Sequence, residues 1–98
     1  MRKLVHLSIK GRVQGVGYRA FVELQAELLG LEGWVRNRRD GSVEAVVAGE
    51  AQKIDRFVDA CSKGPPASRV AAIDVGEATE ELFALRPAGE KFATLPTA

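Results

Sequence analysis

The chain has 98 residues, of which 46% are hydrophobic and 28% charged, and its formal net charge is +1. This length suits one soluble globular domain with a single core, and the near-neutral charge argues against nucleic acid as the main partner. Cys61 is the only cysteine, which excludes an intrachain disulfide and a cysteine-cluster metal site. The N-terminal apolar residues are too few for a signal peptide, and no apolar run has membrane-spanning length. We therefore expect a cytoplasmic location. The expected oligomeric state is a monomer.

Residues 3–10 alternate between apolar and polar side chains, which predicts a half-buried first strand. Val5, Leu7 and Ile9 share its apolar face. His6, the only histidine, lies on the polar face. We interpret His6 as a solvated strand residue rather than as a metal ligand or a phosphohistidine.

A glycine-rich run, Gly-Arg-Val-Gln-Gly-Val-Gly-Tyr-Arg at 11–19, follows this strand. Glycine adopts positive φ without steric cost, so consecutive N–H groups can turn inward and form a concave anion site. A helix that starts near Arg19 adds its unpaired N–H groups and its positive dipole end. The Arg19 guanidinium itself matches two phosphate oxygens. The run therefore predicts binding of a small oxyanion, most simply a phosphoryl group.

Two other interpretations fit the same run. Glycine-rich turns between a strand and a helix are common without any ligand, and the glycines alone leave that alternative open. Residues 15–20 also match a loose dinucleotide-binding fingerprint. The chain is too short for a doubly wound sheet, and no Gly-Lys-Ser/Thr of a phosphate-binding Walker loop follows.

Helical spacing begins after the glycine run. The pattern predicts a helix over 19–29, with Phe21, Leu24 and Leu28 on its apolar face. Gly30 is placed to end it as a left-handed C-terminal cap.

The next segment reads as a β-hairpin. Strands are predicted over 31–39 and 42–48, joined by an Asp-Gly turn at 40–41. If the turn has two residues, Asn37 lies opposite Glu44 on the same face of the sheet.

The second half of the chain repeats the helix-then-strand order. A helix is predicted over 50–63, with Cys61 in its apolar stripe as a packing residue, and a strand over 70–75. A short fifth strand is considered over 82–86. The tail at 87–98 has no periodicity, and we expect it to be irregular.

This order of elements predicts an α+β fold of the ferredoxin-like, split βαβ type. Its antiparallel sheet carries both helices on one face, and the third strand lies between the parallel first and second strands. The glycine run and Asn37 then meet at the same end of the sheet. We therefore expect Arg19 and Asn37 to face one pocket.

Such a pocket offers a phosphate cradle, a fixed cation and a neutral amide, but no evident general acid, nucleophile or metal cluster. Phosphoryl transfer can be catalysed by positioning and charge stabilisation alone. Without a general acid the leaving group must depart unprotonated. An acyl phosphate meets this condition because its leaving group is a carboxylate.

The chain resembles the acylphosphatase family. The resemblance covers roughly residues 3–86 and predicts an acylphosphatase-like domain over 1–86. It is carried by the motifs at 11–19, 29–37 (Leu-Gly-Leu-Glu-Gly-Trp-Val-Arg-Asn) and 40–44 (Asp-Gly-Ser-Val-Glu), with Gly49, Gly64-Pro65 and 83–86 (Phe-Ala-Leu-Arg).

The resemblance implies metal-independent hydrolysis of acyl phosphates to a carboxylate and inorganic phosphate, without a cofactor. It assigns the catalytic roles to Arg19, which would bind the phosphoryl group, and to Asn37, which would orient the attacking water. The implied phosphate-binding residues are Gln14, Gly15, Val16, Gly17, Tyr18 and Arg19. Tyr18 departs from the phenylalanine of many members, and the tail beyond 86 has no implied role.

Two rival functions fit the same fold. One is a non-catalytic anion-sensing or protein-binding module. The presence of both Arg19 and Asn37 favours the enzyme over this module. The other is an RNA binder that uses the sheet face, which needs exposed aromatic residues on the central strands. The predicted first and third strands contain none. Glu44 reads more simply as a surface partner for nearby arginines than as a catalytic carboxylate.

Overall fold

The computed structural model describes residues 2–98, which form one five-stranded sheet with two long helices packed against one face. In chain order the elements are β1 (Arg2–Arg12), α1 (Tyr18–Leu28), β2 (Glu32–Asn37), β3 (Val43–Glu50), α2 (Ala51–Lys63), β4 (Arg69–Glu77), α3 (Glu80–Phe83) and β5 (Phe92–Thr94). The ferredoxin-like α+β fold is confirmed.

The central strand of the sheet is β3. Across the sheet the order is β4-β1-β3-β2-β5, and β3 runs antiparallel to both β1 and β2. The strands β1 and β2 are therefore parallel to one another, as predicted, and their C-terminal ends lie at the same edge. This edge carries the loop after β1 and the hairpin after β2.

The segment 82–86, considered as a fifth strand, is instead the end of a short helix and a turn. Residues Glu80–Phe83 form α3, and the Thr79 hydroxyl oxygen accepts a hydrogen bond from the Leu82 N–H at 3.1 Å. A threonine N-cap followed by two glutamates favours a helix start over a strand, because the cap accepts from an N-terminal N–H and the acidic first turn complements the positive end of the helix dipole.

The tail at 87–98 was expected to be irregular, but it contains a strand. Residues Phe92–Thr94 form β5, which pairs in parallel with β2, so the sheet is mixed rather than purely antiparallel. Beyond β5 the backbone continues along β2. The Leu95 N–H donates to the Val35 carbonyl at 2.9 Å, and the Ala98 N–H donates to the Asn37 carbonyl at 3.0 Å.

The main core lies between the sheet and the helices α1 and α2. Its fully buried members include Leu7, Ile9, Val22, Ala26, Val35, Val47, Phe57 and Cys61. The face of α1 differs from the prediction: Leu24 and Leu28 are 51% and 71% exposed. The helix begins at Tyr18, whose ring is buried. The buried face of the helix continues from Tyr18 through Val22 and Ala26 at spacings of four residues.

A smaller cluster covers the opposite face of the sheet. Trp34 is fully buried there beneath α3, packed with Phe83 and Ala93. Its indole N–H donates to the Leu82 carbonyl at 2.9 Å. The single tryptophan therefore presents no open ring face for base stacking.

Candidate active site

The loop of residues 13–17 connects β1 to α1 and holds two left-handed glycines. Gly15 has φ 71° and Gly17 has φ 76°. A Cβ at either position would meet no atom within 4 Å, so the requirement is the left-handed backbone and not space. Gly17 is also the N-cap of α1 and offers no capping side chain. The first N–H groups of the helix are thus left for another partner.

A pocket of about 190 Å³ opens between this loop and the end of β2. It is lined by Val13, Gly15, Gly17, Tyr18, Arg19, Ala20 and Asn37. The structure thus places Arg19 and Asn37 on one pocket, together with both left-handed glycines. Gln14 and Val16 do not line it.

Arg19 is half-buried in the first turn of α1. Within residues 2–98, no carboxylate lies within 4 Å of its guanidinium. An arginine without an internal ion-pair partner, beside uncapped helical N–H groups, gives the pocket a positive character.

Asn37 is the last residue of β2, and its amide oxygen Oδ1 is buried without a hydrogen-bond partner among the described residues. An unsatisfied buried polar atom costs about 1–3 kcal/mol, and each case in a folded protein calls for an explanation. A partner that arrives with a ligand, such as a water molecule, supplies one. The Asn37 backbone is fixed meanwhile by β3 on one side and by the chain after β5 on the other.

The hairpin register differs by one residue from the prediction. Asn37 pairs with Val43, and Glu44 pairs with Arg36 on the opposite face of the sheet. The turn has three residues rather than two, with Gly41 at φ 94° and its N–H donating to the Arg38 carbonyl at 3.1 Å. A slip of one residue moves every side chain to the other face, which takes Glu44 away from Asn37.

Glu44 instead binds side chains on the face opposite the pocket. Its carboxylate accepts hydrogen bonds from Arg36 Nε at 2.7 Å and from Arg38 at 3.3 Å, and it lies 2.8 Å from His6 Nε2. Burial by itself would raise the pKa of the Glu44 carboxyl, but the hydrogen bonds from His6 and Arg36 outweigh burial and lower it. The interpretation of Glu44 as a partner for the arginines is confirmed.

Tyr18 fastens the start of α1 to the end of α2. Its hydroxyl donates to the Cys61 carbonyl at 2.6 Å, and both residues are buried. This carbonyl has no helical donor, because Pro65 stands four residues on and lacks an N–H. Burial raises the pKa of the Tyr18 hydroxyl, and it raises the pKa of the Cys61 thiol to about 12. Cys61 is therefore a packing residue, as expected.

Gln14 has a role that sequence reasoning did not find. Its side-chain amide donates to the carbonyl oxygens of Arg38 at 2.7 Å and Ser42 at 2.9 Å. The only sequence signal for it is a long amide beside a glycine loop, since hydrogen bonds to main-chain carbonyls leave no mark in the partner's sequence.

Within residues 2–98, no group of three or more His, Cys, Asp or Glu side chains is placed to hold a metal ion. None of the helices in the same range is long and apolar enough to cross a membrane.

The fold and the pocket define a ferredoxin-like α+β protein with a glycine loop and an arginine–asparagine pocket at one end of its sheet. Known proteins are similar to this chain in sequence and in fold. The family described as Acylphosphatase matches residues 5–88. A Bradyrhizobium diazoefficiens protein named Acylphosphatase is 55% identical over 96 residues, covering 98% of this chain and 97% of its own length. A Rhodopseudomonas palustris protein of the same name is 54% identical, covering 93% and 92%.

Comparison with solved structures leads to the same family as the sequence comparison. The crystal structure of acylphosphatase from Bacillus subtilis superposes with a TM-score of 0.82 at 36% identity, covering 97% of this chain and 99% of that one. The chain belongs to the acylphosphatase family.

Proposed function

We propose that this protein hydrolyses the carboxyl–phosphate anhydride bond of acyl phosphates, with Arg19 and Asn37 as its catalytic residues. Family membership supports the reaction class. The observation that carries the assignment of residues is the pocket itself. There Arg19 and the Asn37 amide oxygen lie beside two left-handed glycines, and among residues 2–98 neither the guanidinium has a carboxylate partner nor the amide oxygen a hydrogen-bond donor.

The loop and Arg19 bind the phosphoryl group. Main-chain N–H groups of residues 14–18 face its oxygens, and the Arg19 guanidinium donates to two of them as a planar fork. The main-chain donors are held by the loop backbone before substrate arrives, so they stabilise the charge that develops in the transition state with little reorganisation.

Asn37 orients the attacking water. Its amide oxygen, which no donor of the described residues reaches, accepts a hydrogen bond from the water. An amide is not a base at neutral pH, so the proton of the water passes to a phosphoryl oxygen of the substrate. One P–O bond forms to the water oxygen, and the P–O bond to the acyl group breaks.

The leaving group needs no protein acid. It departs as a carboxylate, whereas a phosphate monoester would release a more basic alkoxide or phenoxide. The products are a carboxylate and inorganic phosphate, and the mechanism uses no metal ion or cofactor.

The test is hydrolysis of benzoyl phosphate by the purified protein in the presence of excess chelator, with phenyl phosphate as the matched monoester. We expect turnover of benzoyl phosphate that chelation leaves unchanged, and no comparable turnover of phenyl phosphate. Loss of activity on chelation with recovery on adding Mg²⁺ or Zn²⁺ would contradict the proposal. Binding of phosphate without any turnover would favour the non-catalytic module instead.

A further inference from the structure

The Gln14 side chain bridges two segments that are distant in sequence. Its Nε2 atom donates to the Arg38 carbonyl at 2.7 Å and to the Ser42 carbonyl at 2.9 Å. These carbonyls lie at the mouth of the β2–β3 hairpin, where the Arg38 N–H donates to the Ser42 carbonyl at 2.8 Å. Both hydrogens of the Gln14 amide nitrogen are thereby used.

The two ends of this bridge border the two halves of the pocket. Gln14 directly precedes Gly15 in the loop, and Arg38 directly follows Asn37. The glycines of the loop have no side chains with which to anchor it. Gln14 is thus a side-chain anchor between the loop and the strand end that carries Asn37.

We propose that Gln14 is a positioning residue that sets the distance and angle between the phosphate cradle and the Asn37 amide. This inference rests on the proposed function, in which the cradle holds phosphorus and Asn37 holds the water. Attack on phosphorus requires the attacking and leaving oxygens to lie roughly in line. A misplacement of about 1 Å can lower the rate by about 10²-fold.

The Gln14 side chain acts through other groups and does not touch the substrate. This side chain does not line the pocket, and both N–H groups of its amide donate to main-chain carbonyls. Removing those donors therefore leaves the cradle and Arg19 in place but loosens their relation to Asn37. The expected signature is a loss in turnover with little change in phosphate binding.

The experiment is a double-mutant cycle in the full chain, with Gln14→Met and Asn37→Ala made singly and together. Methionine keeps the length of the side chain and removes both donors. Gln52→Met is the matched control, because Gln52 is exposed on α2 away from the pocket. The readouts are kcat for benzoyl phosphate and the inhibition constant of inorganic phosphate, at a temperature where circular dichroism shows every variant folded.

We expect Gln14→Met to lower kcat by about 10- to 100-fold and to change phosphate inhibition by less than about threefold. In the Asn37→Ala background the same substitution should lower kcat by less than about threefold, because the group it positions is already absent. Gln52→Met should match the wild type in both readouts.

Three results would overturn the inference. They are an unchanged kcat for Gln14→Met, an equal kcat loss in both backgrounds, or a weakening of phosphate binding as large as the loss in kcat. Each of these three results contradicts the role of Gln14 alone if Asn37→Ala by itself has a low kcat, because the proposed function is then still supported. A wild-type kcat for Asn37→Ala would instead contradict the water-positioning step of the proposed function. If Gln14→Met does not fold, Gln14→Asn, which keeps the amide on a shorter stem, is put through the same cycle and the same outcomes decide.

Discussion

The hydroxyl of Tyr18 supplies the hydrogen bond that Pro65 cannot give to the Cys61 carbonyl, and it does so at 2.6 Å in the buried core. The residue that opens α1 at the edge of the pocket is thereby fixed to the last turn of α2. A phenylalanine at this position would keep the packing and lose that bond.

Tyr18→Phe should therefore lower the free energy of unfolding. The Cys61 carbonyl would remain buried without a donor, which costs about 1–3 kcal/mol. Denaturant unfolding followed by Trp34 fluorescence measures the difference. An unchanged free energy of unfolding would mean that the bond contributes nothing net to stability.

Glu44 should make the stability of the protein depend on pH below neutrality. The pKa of its carboxyl is lowered in the folded state from the ordinary value of 4.5, so its contribution to stability is present above that pH and is lost as the pH falls through the lower folded value. Glu44→Gln should be less stable than the wild type by about 1–3 kcal/mol at pH 7, because charge-assisted hydrogen bonds are lost.

The difference between Glu44→Gln and the wild type should shrink as the pH falls from 4.5 towards acid denaturation. Glu27→Gln, an exposed carboxylate on α1, is the control and should show no comparable difference at any pH. A Glu44→Gln penalty that stays constant across this range would show that the carboxylate charge is not what stabilises the cluster.

The left-handed loop glycines can be tested against a glycine of the same geometry elsewhere. Gly15 and Gly89 both have positive φ and open space for a Cβ, but only Gly15 lines the pocket. Gly15→Ala and Gly89→Ala should each cost about 1–2 kcal/mol of backbone strain. Only Gly15→Ala should also weaken inhibition by inorganic phosphate. Equal phosphate inhibition in the two variants would contradict an anion cradle at this loop.

The sequence predicted those parts of the fold that depend on local patterns of residues. Alternation defined β1, the glycine run marked the loop before α1, and the order of elements required β3 to lie between β1 and β2. The meeting of Arg19 and Asn37 followed from that topology, because parallel strands end at the same edge of a sheet.

Other features depend on contacts that the sequence does not display. The hairpin register followed from a three-residue turn, in which Asp40 Oδ1 accepts from the Ser42 N–H at 2.9 Å, and an Asp-Gly pair alone does not distinguish it from a two-residue turn. The strand β5 has only three residues and draws its stability from pairing with β2. The bridge made by Gln14 ends on main-chain carbonyls, which every residue carries.

The chain after β5 should support the strand end that carries Asn37. A chain that ends at Thr94 loses the hydrogen bonds from Leu95 to Val35 and from Ala98 to Asn37, together with the packing of Leu95. We expect a lower melting temperature and a free-energy loss of about 1–3 kcal/mol. An unchanged free energy of unfolding would show that residues 95–98 do not stabilise this edge of the sheet.

In the proposed mechanism Arg19 binds the phosphoryl group and Asn37 holds only the attacking water. The most direct measurement is kcat together with the inhibition constant of inorganic phosphate for Arg19→Lys and Asn37→Ala. Arg19→Lys keeps the charge but loses the planar fork, so it should weaken phosphate binding and depress turnover together. Asn37→Ala should leave phosphate inhibition nearly unchanged and lower kcat by roughly 10²–10³. Wild-type turnover in Asn37→Ala, or a loss of phosphate binding in that variant as large as that of Arg19→Lys, would contradict these two roles.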